Sequence, residues 1–353
     1  MENYMETLNP IIKEYFNILS PDGIPDFLFD YIKTKEMQRI GKISLTCGTN
    51  RTRIFNHKFD YSNLDHSVGV ALIIWNFTKD KKQTLAGLFH DIATPTFKHC
   101  IDFMNGDHQK QESTEELTTK IIRESKQIMD LLNRDGVKLE EVDNYKIYPI
   151  ADNDTPKLSS DRMEYTFSNG LFFNSKNIWN LDEIRKIYEN ITVLKNEEGI
   201  EELGFKTKEI AEEYVSYCSK IWPFWVDNDD VISMQFIADV VKKMSEEGYI
   251  TKKDLYTLSE DEVVNRIENC KDTHISECFK KFENTSKIRE TDDKPNDDCY
   301  FVSIRSKRRY NVPLVQTNNG VKRINEVSDI AKKIINDYLQ FTPKKYAAFD
   351  FKF

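Results

Sequence analysis

The chain has 353 residues, of which 39% are hydrophobic and 12% aromatic. That is enough apolar material for one large core or two smaller ones, and it excludes a disordered protein. The formal charge of −9 argues against a general binder of nucleic-acid phosphates, but not against a small anion held by a metal or a local basic pocket.

The first residues, MENYMETLNPIIKEYF, carry acids where a signal peptide carries bases. The longest apolar run, VGVALIIWNF (68–77), is too short to cross a bilayer. No membrane association is expected, and the predicted location is cytoplasmic. Most of the chain reads as helical. DFLFDYIKTKEMQRIGKI (26–43) spaces Phe27, Phe29, Ile32, Met37 and Ile40 at helical intervals. SNLDHSVGVALIIWNFT offers Ser62 and Asp65 as N-caps and is apolar on several faces, which predicts a buried helix. After the polar turn TKDKKQ, KQTLAGLFHD gives a second buried helix ending on His90 and Asp91. ESTEELTTKIIRESKQIMDLL (112–132) is amphipathic and is closed by Asp135 and Gly136.

SSDRMEYTFSNG (159–170) starts on a serine cap and stops at Gly170. More polar helices are expected at 181–191, 206–221, 229–247 and 260–283. SKIRETDDKPNDD (286–298) reads as a loop or boundary. The alternation in CYFVSIRS and YNVPLV predicts a small strand pair, followed by a last helix at 326–340. The expected fold class is mainly α, with a core over 1–175 and a helical extension over 176–353 that carries a small α+β C-terminal part. No internal repeat or low-complexity tract is present.

Cys47, Cys100, Cys218, Cys270, Cys278 and Cys299 are scattered without a CxxC, as expected of reduced thiols. Cys270, His274 and Cys278 recur every four residues. Eight residues of helix rise ~12 Å, whereas zinc bonds reach only ~2.0–2.3 Å. The three therefore read as one face of a helix. His57 and His274 read as hydrogen-bonded core histidines.

Five of the six histidines, His57, His66, His90, His99 and His108, lie within 52 residues. If the two buried helices pack antiparallel, the start of the first meets the end of the second and brings His66 beside His90 and Asp91. Imidazole and carboxylate suit Mn, Fe, Zn, Ni or, less readily, Mg. A fourth ligand must come from elsewhere.

The pieces DHSVGV, LAGLFHDIATPTFKH and SDRMEY follow one another in the order found in the HD-domain metal-dependent phosphohydrolases, whose pattern reads roughly R-F-x-H-S-L-G-V, A-x-L-x-H-D-I-G-H-x-P-F-S-H and D-[KR]-x-D-Y. This stretch, from about Met37 to Gly170, resembles that superfamily and is most similar to its dNTP triphosphohydrolase (dGTPase-like) branch. RYNVPLV (309–315) adds a weaker likeness to RYxxPLV. The resemblance implies an HD-domain helical bundle and a divalent metal ion held by His66, His90, Asp91 and Asp161. It places auxiliary catalytic groups at His99, Asp102 and His108, a phosphate-contacting base at Arg162 and a sugar-contacting tyrosine at Tyr165. The implied substrate is a nucleotide, foremost a (deoxy)nucleoside triphosphate split into nucleoside and triphosphate, and a homo-oligomer is expected. His99 lies one turn from Asp102, so it can donate a proton while Asp102 fixes its tautomer.

In SDRMEY, Glu164 stands in place of the pattern's second aspartate, and two further departures bear on the substrate. Thr94 stands where the family has a second histidine, and Asn63 stands at the substrate-contacting position of an arginine. Both departures weaken the triphosphate expectation. They bring forward two alternatives, a phosphomonoesterase or phosphodiesterase of another specificity and a non-catalytic nucleotide sensor. The basic run IRSKRRY (304–310) is either a solvated face or a nucleotide-phosphate site at a subunit contact.

Overall fold

The computed structural model describes residues 4–55, 60–111, 117–172 and 178–353. His57 lies outside them. Six helices position the site: α1 (Pro10–Leu19), α2 (Asn63–Thr78), α3 (Lys81–Phe89), α4 (His99–Met104), α5 (Ser160–Phe172) and α6 (Asn228–Glu246).

Helix α2 begins in a capping box. The Ser62 hydroxyl accepts from the Asp65 amide, and the Asp65 carboxylate accepts from the Ser62 amide. Every residue from Asn63 to Ile74 is buried, so α2 runs through the interior rather than along it. Lys79, at φ 51°, ends it, and Asp80 caps α3 by accepting from the Lys82 and Gln83 amides. The two helices pack back on each other as a tight pair. A Cβ on Gly87 would lie 2.2 Å from Ile74 Cδ1, so a larger residue there would require the Ile74 side chain to move.

Several predicted helices are interrupted, two of them where a short polar side chain caps a new start. The 26–43 stretch divides into Asp26–Ile32 and Lys35–Ile40, with Thr34 extended between them. Within 112–132, residues 112–116 lie outside the described residues, and the rest divides into Thr118–Glu124 and Lys126–Asp135 at the Ser125 cap. The 260–283 stretch is Glu260–Glu268 and Thr273–Asn284. Asp272 caps the second of these through the His274 amide at 2.9 Å. Cys270 therefore falls in the break and shares no helix face with His274 and Cys278, which corrects the single-face reading.

The strands form two sheets. The first runs β1 (Ile191–Lys195), β2 (Glu201–Phe205), β5 (Leu314–Thr317), β6 (Gly320–Arg323), with β2 and β5 parallel in the register Gly204 to Leu314. The second has β7 (Tyr346–Phe349) between β3 (Arg289–Thr291) and β4 (Tyr300–Val302). The predicted pairing of CYFVSIRS with YNVPLV is not made. The first contributes β4, paired with β7, and the second leads into β5, paired with β2 and β6.

Apolar side chains gather mainly in two clusters. One extends from Ile12 through the α2, α3 and α5 interior to Tyr338. The other joins Cys47, Phe97, Cys100 and Ile101 to α6, the Thr273–Asn284 helix and the β4–β7 sheet. Each draws on residues from both sides of position 175. Among the described residues no helix is long and apolar enough to cross a membrane, and all six cysteines are free thiols.

Candidate metal centre and its cavity

His66 lies in the first turn of α2, His90 directly follows α3, and Asp161 is the second residue of α5. Their ligand atoms converge. The two Nε2 atoms are 3.2 Å apart, and Asp161 Oδ1 lies 3.2 Å from that of His66 and 3.7 Å from that of His90. The set of two imidazoles and one carboxylate is compact enough for a single ion. Asp91 Oδ2 stands beside it, 3.6 Å from His90 Nε2 and 3.9 Å from His66 Nε2.

The outer faces of the rings determine what the inner faces present. His90 Nδ1 donates to the Gly87 carbonyl at 2.7 Å, so its Nε2 carries a lone pair. His66 Nδ1 is bonded to the Glu164 carboxylate. The two Nε2 atoms face each other across 3.2 Å with Asp161 Oδ1 beside them, a set of lone pairs that either a proton on His66 or a metal ion satisfies. Burial alone would lower the His66 pKa, yet the Glu164 and Asp161 carboxylates raise it to about 9. Asp161 resists its burial through the His66 hydrogen bond and the His90 charge, which hold it below the usual carboxylate range. The cluster attracts positive charge, and its donors fit a divalent metal ion.

Glu164, in SDRMEY at the position of the second aspartate of D-[KR]-x-D-Y, is fully buried. Besides His66 it accepts from Tyr61 at 2.6 Å and Tyr15 at 3.2 Å. It reaches α2 because position 69 is glycine: a Cβ there would lie 2.8 Å from its carboxylate. Its place one helical turn beyond Asp161 was the available signal.

Lys98 was also missed. Its ammonium is 2.9 Å from Asp91 Oδ2 and donates to Asn63 Oδ1. Against the cost of burial, Lys98 and the two histidines hold Asp91 well below its ordinary pKa. Asn63, expected to contact substrate, is fully buried beneath this lysine, and the cavity is lined by Lys98 in front of it.

Next to Lys98 in the chain, His99 also lines the cavity, and its Nδ1 is 2.9 Å from the buried Asp102 carboxylate. His99 Nε2 is 3.4 Å from Arg309 Nη2, and Arg309 also bonds Gln111 Oε1. Guanidinium nitrogens only donate, so Nε2 is an acceptor and the ring is neutral. Consistently, burial lowers the His99 pKa, the Asp102 hydrogen bond opposes this, and Arg309 adds to it. Arg309 thus reaches the cavity of its own chain. His108 packs its ring 5.9 Å from Phe103 and is not among the groups lining the cavity.

Arg162 lines the cavity, but its guanidinium is engaged by its own chain. It donates to Asn153 Oδ1 at 2.7 Å, the Asn153 carbonyl and Ser159 Oγ at 3.1 Å, and stands 3.3 Å from Asp152. Tyr165 also lines it, edge-on to Trp225 and under Arg309. The cavity, about 740 Å³, holds a nucleotide-sized molecule. Asp152, Asp154, Glu198 and Glu201 also line it, with Lys146, Lys157 and Lys307.

The fold is one already seen in solved structures. The chain superposes with a TM-score of 0.62 on a phosphohydrolase from Bacteroides thetaiotaomicron, at 12% identity over 93% of this chain and 96% of that one. It matches a hypothetical protein from Aquifex aeolicus with a TM-score of 0.61, at 16% identity over 92% of each. In sequence it is 24% identical over 256 residues to the uncharacterized protein YdhJ of Bacillus subtilis, covering 72% of this chain and 74% of that one. It is 22% identical over 146 residues to the metal-dependent phosphohydrolase cns2 of Cordyceps militaris, 41% of either protein. No family model matches the chain.

Proposed function

We propose that the chain is a metal-dependent phosphohydrolase of the HD class acting on a nucleotide. One observation carries this reading: the His66 and His90 Nε2 atoms and Asp161 converge at a nucleotide-sized cavity, with Lys98, His99 and Arg309 around them. The printed names of the Cordyceps relative and the Bacteroides structure agree with it. His66, His90 and Asp161 would hold the ion, with Asp91 beside them. A bound divalent ion polarises a phosphoryl oxygen and lowers the pKa of water. His99 Nε2, an acceptor at rest, takes the proton of the attacking water and returns it to the leaving oxygen as the P–O bond breaks, while Asp102 steadies the imidazolium.

For a (deoxy)nucleoside triphosphate, the products are nucleoside and triphosphate. A second reading, a nucleotide phosphomonoester or diester, is favoured by the engagement of Arg162 within the protein. The arginine that the sequence assigns to a phosphate is thereby withdrawn from a long polyanion. The test is to incubate metal-loaded protein with mono-, di- and triphosphates of both sugars and separate the products by chromatography. Release of inorganic triphosphate supports the first reading, orthophosphate from monophosphates the second. No product from any of them, with the metal bound, leaves a nucleotide sensor.

A further inference from the structure

The loop between His90 and α4 is held from several sides. Arg39 Nη2 donates to the Ile92 and Thr94 carbonyls at 3.1 and 2.6 Å. The Thr96 amide donates to the Leu255 carbonyl at 2.7 Å, and its hydroxyl to that of Leu258 at 3.1 Å. The loop ends on two successive left-handed residues, Phe97 at φ 66° and Lys98 at φ 41°. Neither is glycine, and such a backbone persists only where its surroundings enforce it. Its result is to turn a lysine inward. The Lys98 side chain is 7% exposed, and its ammonium meets Asp91 and Asn63.

A buried lysine beside a cluster that attracts cations is costly unless it is used. Neutralising Asp91 accounts for one of its three N–H donors and Asn63 for a second. The third remains for the cavity, which Lys98 lines next to His90 and Asp91. We propose that Lys98 is a substrate-binding residue. In this assignment its ammonium contacts a non-bridging oxygen of the phosphoryl group that sits at the metal cluster, so one phosphate lies between the ion and the lysine. The proposal rests on the phosphohydrolase reading and deepens it. The charge that selects substrate is placed at the reacting phosphate rather than along a phosphate tail. The ligand class is a phosphate monoester or diester, with inorganic phosphate as the simplest member.

The experiment uses full-length protein loaded with manganese, as wild type, Lys98→Met and Lys98→Arg. Metal content is read by elemental analysis and phosphate affinity by titration calorimetry with sodium orthophosphate. Expected are unchanged metal content in all three, phosphate binding weakened by about 10- to 100-fold in Lys98→Met as befits a lost charged hydrogen bond, and a smaller loss in Lys98→Arg. Phosphate affinity within twofold of wild type in Lys98→Met overturns the proposal and leaves the lysine as a partner of Asp91 alone. Loss of metal together with phosphate binding also overturns it, because the ammonium would then serve the ion site. Should Lys98→Met fail to fold, wild type labelled with 15N-lysine and loaded with diamagnetic zinc in place of manganese serves, the Lys98 signal being assigned through Lys98→Arg. Phosphate must displace that signal and chloride must not, and a signal indifferent to phosphate overturns the proposal. A metal-loaded wild type that binds no phosphate at all counts against the phosphohydrolase reading itself.

Discussion

His66 and Glu164 belong to different helices, yet the Nδ1 of one is bonded to the carboxylate of the other in a pocket closed by Tyr15 and Tyr61. The carboxylate holds the ring so that its Nε2 faces His90 and Asp161, and it makes that nitrogen a better donor to an ion. Glu164→Gln keeps the shape and removes the charge. It is expected to weaken metal affinity by about 10- to 100-fold, the usual cost of losing such a partner. Gly69→Ala is expected to act in the same direction, because its methyl group displaces the Glu164 carboxylate. Metal titration of both variants checks this, and wild-type affinity in both would remove Glu164 from the site.

His99→Ala is expected to retain metal and lose about 10²- to 10⁴-fold in kcat, the scale of a proton-transfer group. Elemental analysis beside steady-state kinetics tests it. Unchanged kcat on a substrate with a poor leaving group would make His99 a structural residue.

Arg162 gives a prediction opposite to the one its sequence position invites. Its guanidinium is held by Asn153, Ser159 and Asp152, so Arg162→Ala is expected to lower stability by about 1–3 kcal/mol, the cost of unmaking such bonds. KM is expected to rise little once the protein is folded. Denaturant unfolding read against KM separates the two. A large rise in KM at unchanged stability would return Arg162 to the phosphate-binding role.

Asp230 lines the cavity, and burial raises its pKa to about 7, with Arg309 opposing and Asp227 and Asp229 adding to the rise. A carboxyl whose folded pKa is raised contributes stability that is full below its unfolded value near 3.8 and is lost as pH climbs to about 7. Asp230→Asn has no such loss. It should therefore melt close to wild type at pH 4, move above it progressively towards pH 7, and hold a constant lead beyond. A lead independent of pH would show that Asp230 does not titrate there.

The helix pair that makes the centre was readable because its signals are local. Ser62 and Asp80 cap, glycines mark close approach, and a short polar turn forces α2 and α3 together. Those features place His66 against His90. The β1–β2 hairpin was hidden for the opposite reason. Glu202 is fully buried in the middle of a strand and looks like a surface residue until Arg323, far along the chain, comes to within 2.9 Å of it. Lys98 and Arg309 carry no motif that predicts inward orientation. The first is turned inward by a positive-φ backbone, and the second lies in the basic run at 304–310, whose sequence left open a solvated face or a subunit contact rather than the cavity of its own chain. Asn63 was legible as a departure, but not as the buried partner of that lysine.

Neither apolar cluster is complete until the end of the chain has been made, since one closes on Tyr338 and the other on Phe349 and Phe351. A ribosome therefore delivers His66, His90 and Asp161 long before the surfaces that enclose them. For that interval the nascent chain holds the His66, His90 and Asp161 cluster without the later segments that cover the helices around it, the condition in which chaperones engage a polypeptide. A fragment ending near residue 175 stays permanently in that state, so it is expected to aggregate rather than to bind nucleotide.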